Sequence, residues 1–179
     1  LLFWDINHRS DRLAAKNNQL DEMSKKDPLT KLYNRRYMNY ELNRRMSYLV
    51  GEGRIFGLIM ADIDNFKTVN DTYGHEMGDK AIKLQAEVLK KAFRSDDIVG
   101  RLSGDEFGVI AVGMNLDRID SVKEQIATLS EKISKKNKLP FTLSISLGAV
   151  DLQSSSNLKR LLSEADKKLY IEKQIKHAN

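Results

Sequence analysis

Two kinds of apolar pattern alternate along the chain. "RIFGLIMADID" (54–64) is a nearly unbroken apolar run closed by acids, the mark of a strand buried on both faces. "GDKAIKLQAEVLKKAFR" (78–94) instead places Ile82, Leu84, Val88, Leu89 and Phe93 on one face of a helix, opposite a charged one. A helix over about 28–49 carries Leu32, Tyr37, Tyr40, Leu42 and Met46. Asp27-Pro28 predicts its start, since proline suits a first helical turn, and "GEG" at 51–53 its end. Further helices are expected over 117–138 and 156–176, and a strand over "PFTLSISLGAV" (140–150). In the middle, two short strands flank "RLSGDEFG" (101–108) as a hairpin. A hairpin among helices makes at least part of the sheet antiparallel, so the pattern predicts an α+β domain and not a doubly wound parallel one.

Residues 1–26 read as a helical stalk. Leu2, Ile6, Leu13 and Leu20 sit close to heptad spacing, with Arg9 and Lys16 interrupting the seam. So thin an apolar stripe suits pairing with a second copy, or relaying a signal from an upstream sensor domain. The expected division is a stalk over 1–26 and a catalytic domain over 27–179. "LLFW" opens the chain without an initiator Met and admits the cytosolic end of a membrane helix. The expected location is therefore a cytoplasmic domain, with membrane anchoring of the whole protein left open. No run approaches the ~20 apolar residues of a membrane span.

Composition narrows the chemistry. The 179 residues suffice for one domain and an appendage. Thirty basic against 25 acidic residues leave a net charge of +5, scattered along the chain where a duplex-binding face would concentrate it, so no nucleic-acid partner is expected. The absence of cysteine excludes disulfides and thiolate metal sites.

Two acidic clusters remain. Asp62 ends the buried strand, and Asp105 with Glu106 occupies the hairpin tip. An EF-hand is rejected because Phe66 and Lys67 stand where an oxygen ligand and glycine belong. "HEMGD" ends in Asp79 and not His, and no Walker loop or nucleophile elbow occurs. Hard-cation chemistry is left: carboxylates of this kind hold Mg²⁺ together with substrate phosphates, and two such ions serve phosphoryl or nucleotidyl transfer. Lys67 and Lys173 are candidates for neutralising phosphate, and Asn70 and Asp79 for reading a base edge. Asp64 and Asp71 read equally well as turn formers, and Phe66 and Phe107 read as core ahead of substrate stacking.

"DPLTKLYNRR", "DIDNFKTVNDTYGHEMGD", "RLSGDEF", "SLGAV" and "EADKKLY" occur in that order over about residues 27–173. Together they resemble the GGDEF family, the diguanylate cyclases that join two GTP into cyclic di-GMP. The resemblance implies a mostly antiparallel five-stranded sheet flanked by helices, like the nucleotidyl cyclase and polymerase palm folds. It implies that Asp62, Asp105 and the backbone carbonyl of Ile63 ligate two Mg²⁺ ions, for which Mn²⁺ can substitute, with Glu106 beside them as ligand or proton acceptor. Asn70 and Asp79 would hold guanine next to Phe66, while Lys67 and Lys173 would contact phosphates. Gly104 would clear the hairpin tip for the triphosphate. Catalysis would need a homodimer, one GTP per subunit. Arg94 and Asp97, in R-x-x-D spacing, would form a site where cyclic di-GMP inhibits. Two departures stand out: Ser103 replaces the motif's first glycine, and His177 stands where an arginine is common, with Lys176 beside it as a substitute cation. The alternative function is a catalytically silent module that binds GTP or cyclic di-GMP.

Overall fold

The computed structural model describes residues 24–52, 56–151 and 157–178. The expected stalk lies almost wholly outside them, as do "LLFW" and the His177 side chain. The elements in order are β1 (Tyr33–Asn34), α1 (Arg35–Glu52), β2 (Phe56–Ile63), α2 (Phe66–Tyr73) and α3 (His75–Ala92). There follow β3 (Ile98–Ser103), β4 (Glu106–Val112), a 3₁₀ turn (Leu116–Arg118), α4 (Ile119–Lys136), β5 (Ile145–Asp151) and α5 (Leu158–Ala178). The five strands form one sheet in the order β1-β3-β4-β2-β5, antiparallel throughout except for β1 against β3. The expected α+β architecture, with its central hairpin, is the one observed.

Strand alternation sends successive side chains to opposite faces, so β2 feeds two cores at once. Ile59, Ala61 and Ile63 join Phe107, Val109 and Leu147 under α3 and α4. Phe56 and Leu58 join Ile110 and Val150 under α1 and α5, against Met38, Leu42, Leu161 and Ala165. This double burial explains the unbroken apolar run of β2. Asp62 belongs to the even-numbered row and so emerges on the α1/α5 side. That parity decides which helix can reach it.

Three expectations at element boundaries need correction. The first long helix begins at Arg35 and not near residue 28. Asp27 closes a turn instead, its Oδ1 accepting the Thr30 N–H at 2.8 Å and the Thr30 hydroxyl at 2.7 Å. Lys31 then leaves helical space at φ 60°. The helix is capped seven residues later than Asp27, where Asn34 Oδ1 accepts the Tyr37 N–H at 3.0 Å. The strand expected from residue 140 begins at Ile145. Leu143 N–H is donated to Ser134 Oγ at 2.9 Å, and Ser144 O accepts Asp64 N–H at 2.9 Å, so these groups are used outside the ladder. Helix α2 lies where no helix was expected; it is eight residues long, largely polar, and ended by Gly74 at φ 84°.

Candidate functional site

At the end of β2, Asp62 is paired in register with Glu106, and Ile63 N–H donates to Asp105 O at 3.3 Å. The two acidic clusters, some forty residues apart in the chain, therefore meet at one end of the sheet. Gly104 makes the sharp reversal possible at φ 38°, a conformation L side chains adopt rarely. Arg101 braces the turn: its Nε donates to Gly104 O at 2.8 Å while Nη1 reaches both Asp27 carboxylate oxygens at 3.3 Å. Ser103 Oγ donates to Glu106 Oε2 at 2.5 Å, so the residue that departs from the motif orients one of its acids.

Asp62 is the buried member. Lys173 Nζ, from α5, lies 2.7 Å from its Oδ1. The Lys173 ammonium is the partner of this buried oxygen. Burial pushes the Asp62 carboxyl up to about 6; Asp105 adds to the rise and Lys173 opposes it. A buried carboxylate beside a second carboxylate is suited to a divalent cation, which would compete with Lys173 for Oδ1. Among the described residues no three or more His, Cys, Asp or Glu side chains converge as a metal site. Two carboxylates at an open end of a sheet are the kind of oxygen set that Mg²⁺ completes with waters and substrate phosphates.

Asp64 has a different role from its neighbour. Its oxygens accept the Ser144 hydroxyl at 2.5 Å, the Ser146 hydroxyl at 2.6 Å and Lys176 Nζ at 2.9 Å. Burial alone would raise its carboxyl, but these bonds outweigh it and hold the group below the ordinary carboxylate range. It joins the β2 end, β5 and α5. Lys176 is thereby committed to Asp64 and to Ile145 O at 2.6 Å, so the expected substitute cation is engaged structurally.

Phe66, Asn70 and Gly78 gather where α2 meets α3. A Cβ on Gly78 would fall 1.9 Å from Asn70 Oδ1 and 3.3 Å from Phe66 Cζ. Phe66 is partly buried against the core, Asn70 half-buried, and Asp79 exposed next to Gly78. Lys67 is exposed in the first turn of α2, whose N-cap Asn65 (φ 55°) makes no side-chain cap bond. The first-turn N–H groups are thus left uncapped toward the end of β2.

Arg94 and Asp97 stand apart from this end, about 20 Å away along the hairpin at ~3.3 Å per residue. Asp97 accepts Arg94 N–H and Val112 N–H, each at 2.9 Å, and so closes the base of the hairpin. The two residues also border a pocket of about 300 Å³ with Lys91, Arg118 and Gln125.

Sequence reasoning missed four contributors: Gly78, Arg101, Asp166 and the Ser144/Ser146 pair. Gly78 carried a usable signal, since glycine inside a helix costs stability unless space demands it. Asp166 carried none. Its carboxyl is raised by burial and by Glu106, a relation that exists only once α5 is packed.

A mostly antiparallel sheet with carboxylates gathered at one end matches the palm-like α+β fold class expected from the sequence. A family model described as "Diguanylate cyclase, GGDEF domain" matches residues 24–179, and the chain belongs to that family. It is 34% identical over 153 residues to the probable diguanylate cyclase DgcT of Escherichia coli K12, covering 83% of this chain and 33% of that protein. It is 33% identical over 150 residues to the diguanylate cyclase DosC of the same organism, again covering 83% and 33%. The chain thus spans about a third of these relatives' length. Among solved structures, the GGDEF domain of DgcB from Caulobacter crescentus, in complex with c-di-GMP, superposes with a TM-score of 0.74 at 27% identity, covering 84% and 90% of the two chains. The longer coiled-coil and GGDEF form of DgcB superposes at 0.83, covering 95% and 91%; at 24% identity it supports the fold alone.

Among the described residues no helix is long and apolar enough to cross a membrane.

Proposed function

We propose that this domain is an active diguanylate cyclase, condensing two GTP into cyclic di-GMP and two pyrophosphates across a homodimer. The observation that carries the reading is Asp62: a buried carboxylate, pushed up by burial and by Asp105 beside it and paired with Lys173, where β2 meets the hairpin. Asp62, Asp105 and the Ile63 carbonyl would hold two Mg²⁺, or Mn²⁺ in their place, which when bound supply charge stabilisation for attacking and leaving oxygens.

The chain's own residues supply the rest. Asn70 and Asp79 hold the guanine edge beside Phe66. Lys173, Lys67 and the uncapped first turn of α2 take the triphosphate, and Gly104 leaves room for it at the hairpin tip. The 3′-oxygen of one GTP bonds to the α-phosphorus of the other while the bond to pyrophosphate breaks, and Glu106, held by Ser103, accepts the hydroxyl proton. A second such step closes the ring. Each half-site holds one nucleotide, so dimer geometry sets the rate by positioning. Product inhibition is assigned to Arg94 and Asp97. Because Asp97 already accepts two backbone N–H groups, Arg94 is the residue to vary.

A second reading, a silent module that binds GTP or cyclic di-GMP, is favoured by the commitment of Lys176 to Asp64, which removes a cation from the triphosphate's reach. The deciding experiment incubates the chain with GTP and Mg²⁺ and follows cyclic di-GMP and pyrophosphate by chromatography. Product from the parent and none from Asp105→Asn is expected. No product, from a chain shown to dimerise and bind GTP, overturns the cyclase in favour of the silent module.

A further inference from the structure

Strand β5 ends the sheet order, so among the described residues its outer edge has no strand neighbour. Exposed edges invite pairing with foreign strands and are commonly covered. Here α5 provides the cover in an ordered way. Lys168 Nζ donates to Ala149 O at 2.9 Å, Glu172 Oε1 accepts Leu147 N–H at 3.1 Å, and Lys176 Nζ donates to Ile145 O at 2.6 Å.

The three side chains are four residues apart on the helix, about 6.0 Å per step. Their backbone partners are two residues apart on the strand, about 6.7 Å per step. Helix and strand run antiparallel and stay commensurate over all three rungs, to within the reach of flexible Lys and Glu side chains. Gly148 permits the close approach, since a Cβ there would fall 2.1 Å from Ala165 O and 2.4 Å from Leu169 N. Glu172 also pairs, through Oε2, with Lys123 of α4, and Lys176 also holds Asp64. Glu172 therefore ties α4, β5 and α5 together. The next residue is Lys173, the cation on Asp62.

We propose that Lys168, Glu172 and Lys176 form a positioning ladder that fixes α5 in one register on the β5 edge and so delivers Lys173 to Asp62. The proposal rests on the reading of Lys173 as a nucleotide-phosphate contact. A slip of α5 by one residue turns the helix by about 100° and takes every rung off the edge. A slip of one four-residue step keeps the face but carries Lys173 about 6 Å along, beyond contact with Asp62. Glu172 is the central rung and acts through Lys173 without touching substrate.

The test measures binding of 3′-deoxy-GTP with Mg²⁺ by calorimetry; lacking the attacking hydroxyl, this probe cannot turn over. Lys173→Ala is expected to weaken binding about tenfold or more and Glu172→Ala several-fold. Glu172→Gln, which keeps an acceptor for Leu147 N–H, should stay within about twofold of the parent. The double variant Glu172→Ala/Lys173→Ala should bind no more weakly than Lys173→Ala, because the first change acts only through the second residue. Faster amide exchange at Leu147 in Glu172→Ala should accompany the loss. Lys168→Ala, at an exposed outer rung, should move binding the same way by less, and serves if Glu172→Ala fails to fold. Losses that add in the double variant, or a Glu172→Ala that binds like the parent while Lys173→Ala is damaged, overturn the ladder and leave the phosphate reading intact. An undamaged Lys173→Ala overturns the phosphate reading, and the ladder's role in binding falls with it.

Discussion

Asp62→Asn should stabilise the metal-free protein at neutral pH while abolishing turnover. The Asp62 side chain is only 12% exposed, and its carboxyl titrates at about 6 where an ordinary one has 3.8. A folded-state value above the unfolded one means that this group's stabilising contribution is complete below pH 3.8 and is lost as pH rises through about 6. Two pH units correspond to about 3 kcal/mol as a ceiling, at ~1.36 kcal/mol per unit. The site opens to water at the hairpin tip, and screening there brings the expected gain to about 1–2 kcal/mol. Lys173 loses its partner in the variant, but its side chain is 30% exposed and can turn to solvent. For a domain of this size the gain amounts to a rise in Tm of roughly 2–8 °C. Calorimetric melts in EDTA at pH 4.5, 6 and 7.5 provide the assay. The advantage of the variant should be largest at pH 7.5 and shrink as pH falls, because the parent carboxyl then becomes neutral as well. Adding Mg²⁺ and GTP should raise the parent's Tm far more than the variant's. A variant no more stable than the parent at pH 7.5, or one whose advantage is the same at every pH, refutes the argument from burial.

Three further outcomes are expected. Gly78→Ala should fold with near-parent or slightly higher Tm, since alanine favours the helix by up to ~1 kcal/mol. It should nevertheless weaken GTP binding, because the new Cβ displaces the Asn70 side chain; unchanged affinity in a calorimetric titration would remove Asn70 from the guanine site. Gly148→Ala should lower stability by about 1–3 kcal/mol in a urea melt, because the obstructing atoms are backbone of α5 and cannot swing aside; a loss under about 0.5 kcal/mol would mean that α5 is not seated as described. Ser103→Gly should lower kcat about fivefold with KM little changed, the equivalent of one ~1 kcal/mol hydrogen bond to Glu106; a parent-like kcat would show that Glu106 needs no orienting partner.

Much of this fold is legible in the sequence. The unbroken apolar run of β2 could only be a strand covered on both sides, and the amphipathic spacing of residues 78–94 could only be a helix with one inner face. The hairpin made antiparallel pairing necessary. Local signals failed where residues distant in the chain claimed the same side chain. Asp27-Pro28 offered a helix start, yet the Asp27 carboxylate closes a turn with Thr30 and is then claimed by Arg101, 74 residues away. Asp64 looked like a turn former until Ser144, Ser146 and Lys176 arrived from β5 and α5 to hold it.

The acids themselves, their order in the chain and the glycine that lets the hairpin reverse are properties of the sequence. So is the alternation that sends Asp62 to the same face as Leu58. Which partners Asp62 meets is not. Lys173 lies 111 residues further on, and it reaches the carboxylate only because α5 crosses Gly148 backbone to backbone and takes one register along β5. Covalent spacing sets what each short segment can do. The raised carboxyl of Asp62 and the committed Lys176 arise from burial and from charges brought close across the sheet, and both exist only once the layers have packed.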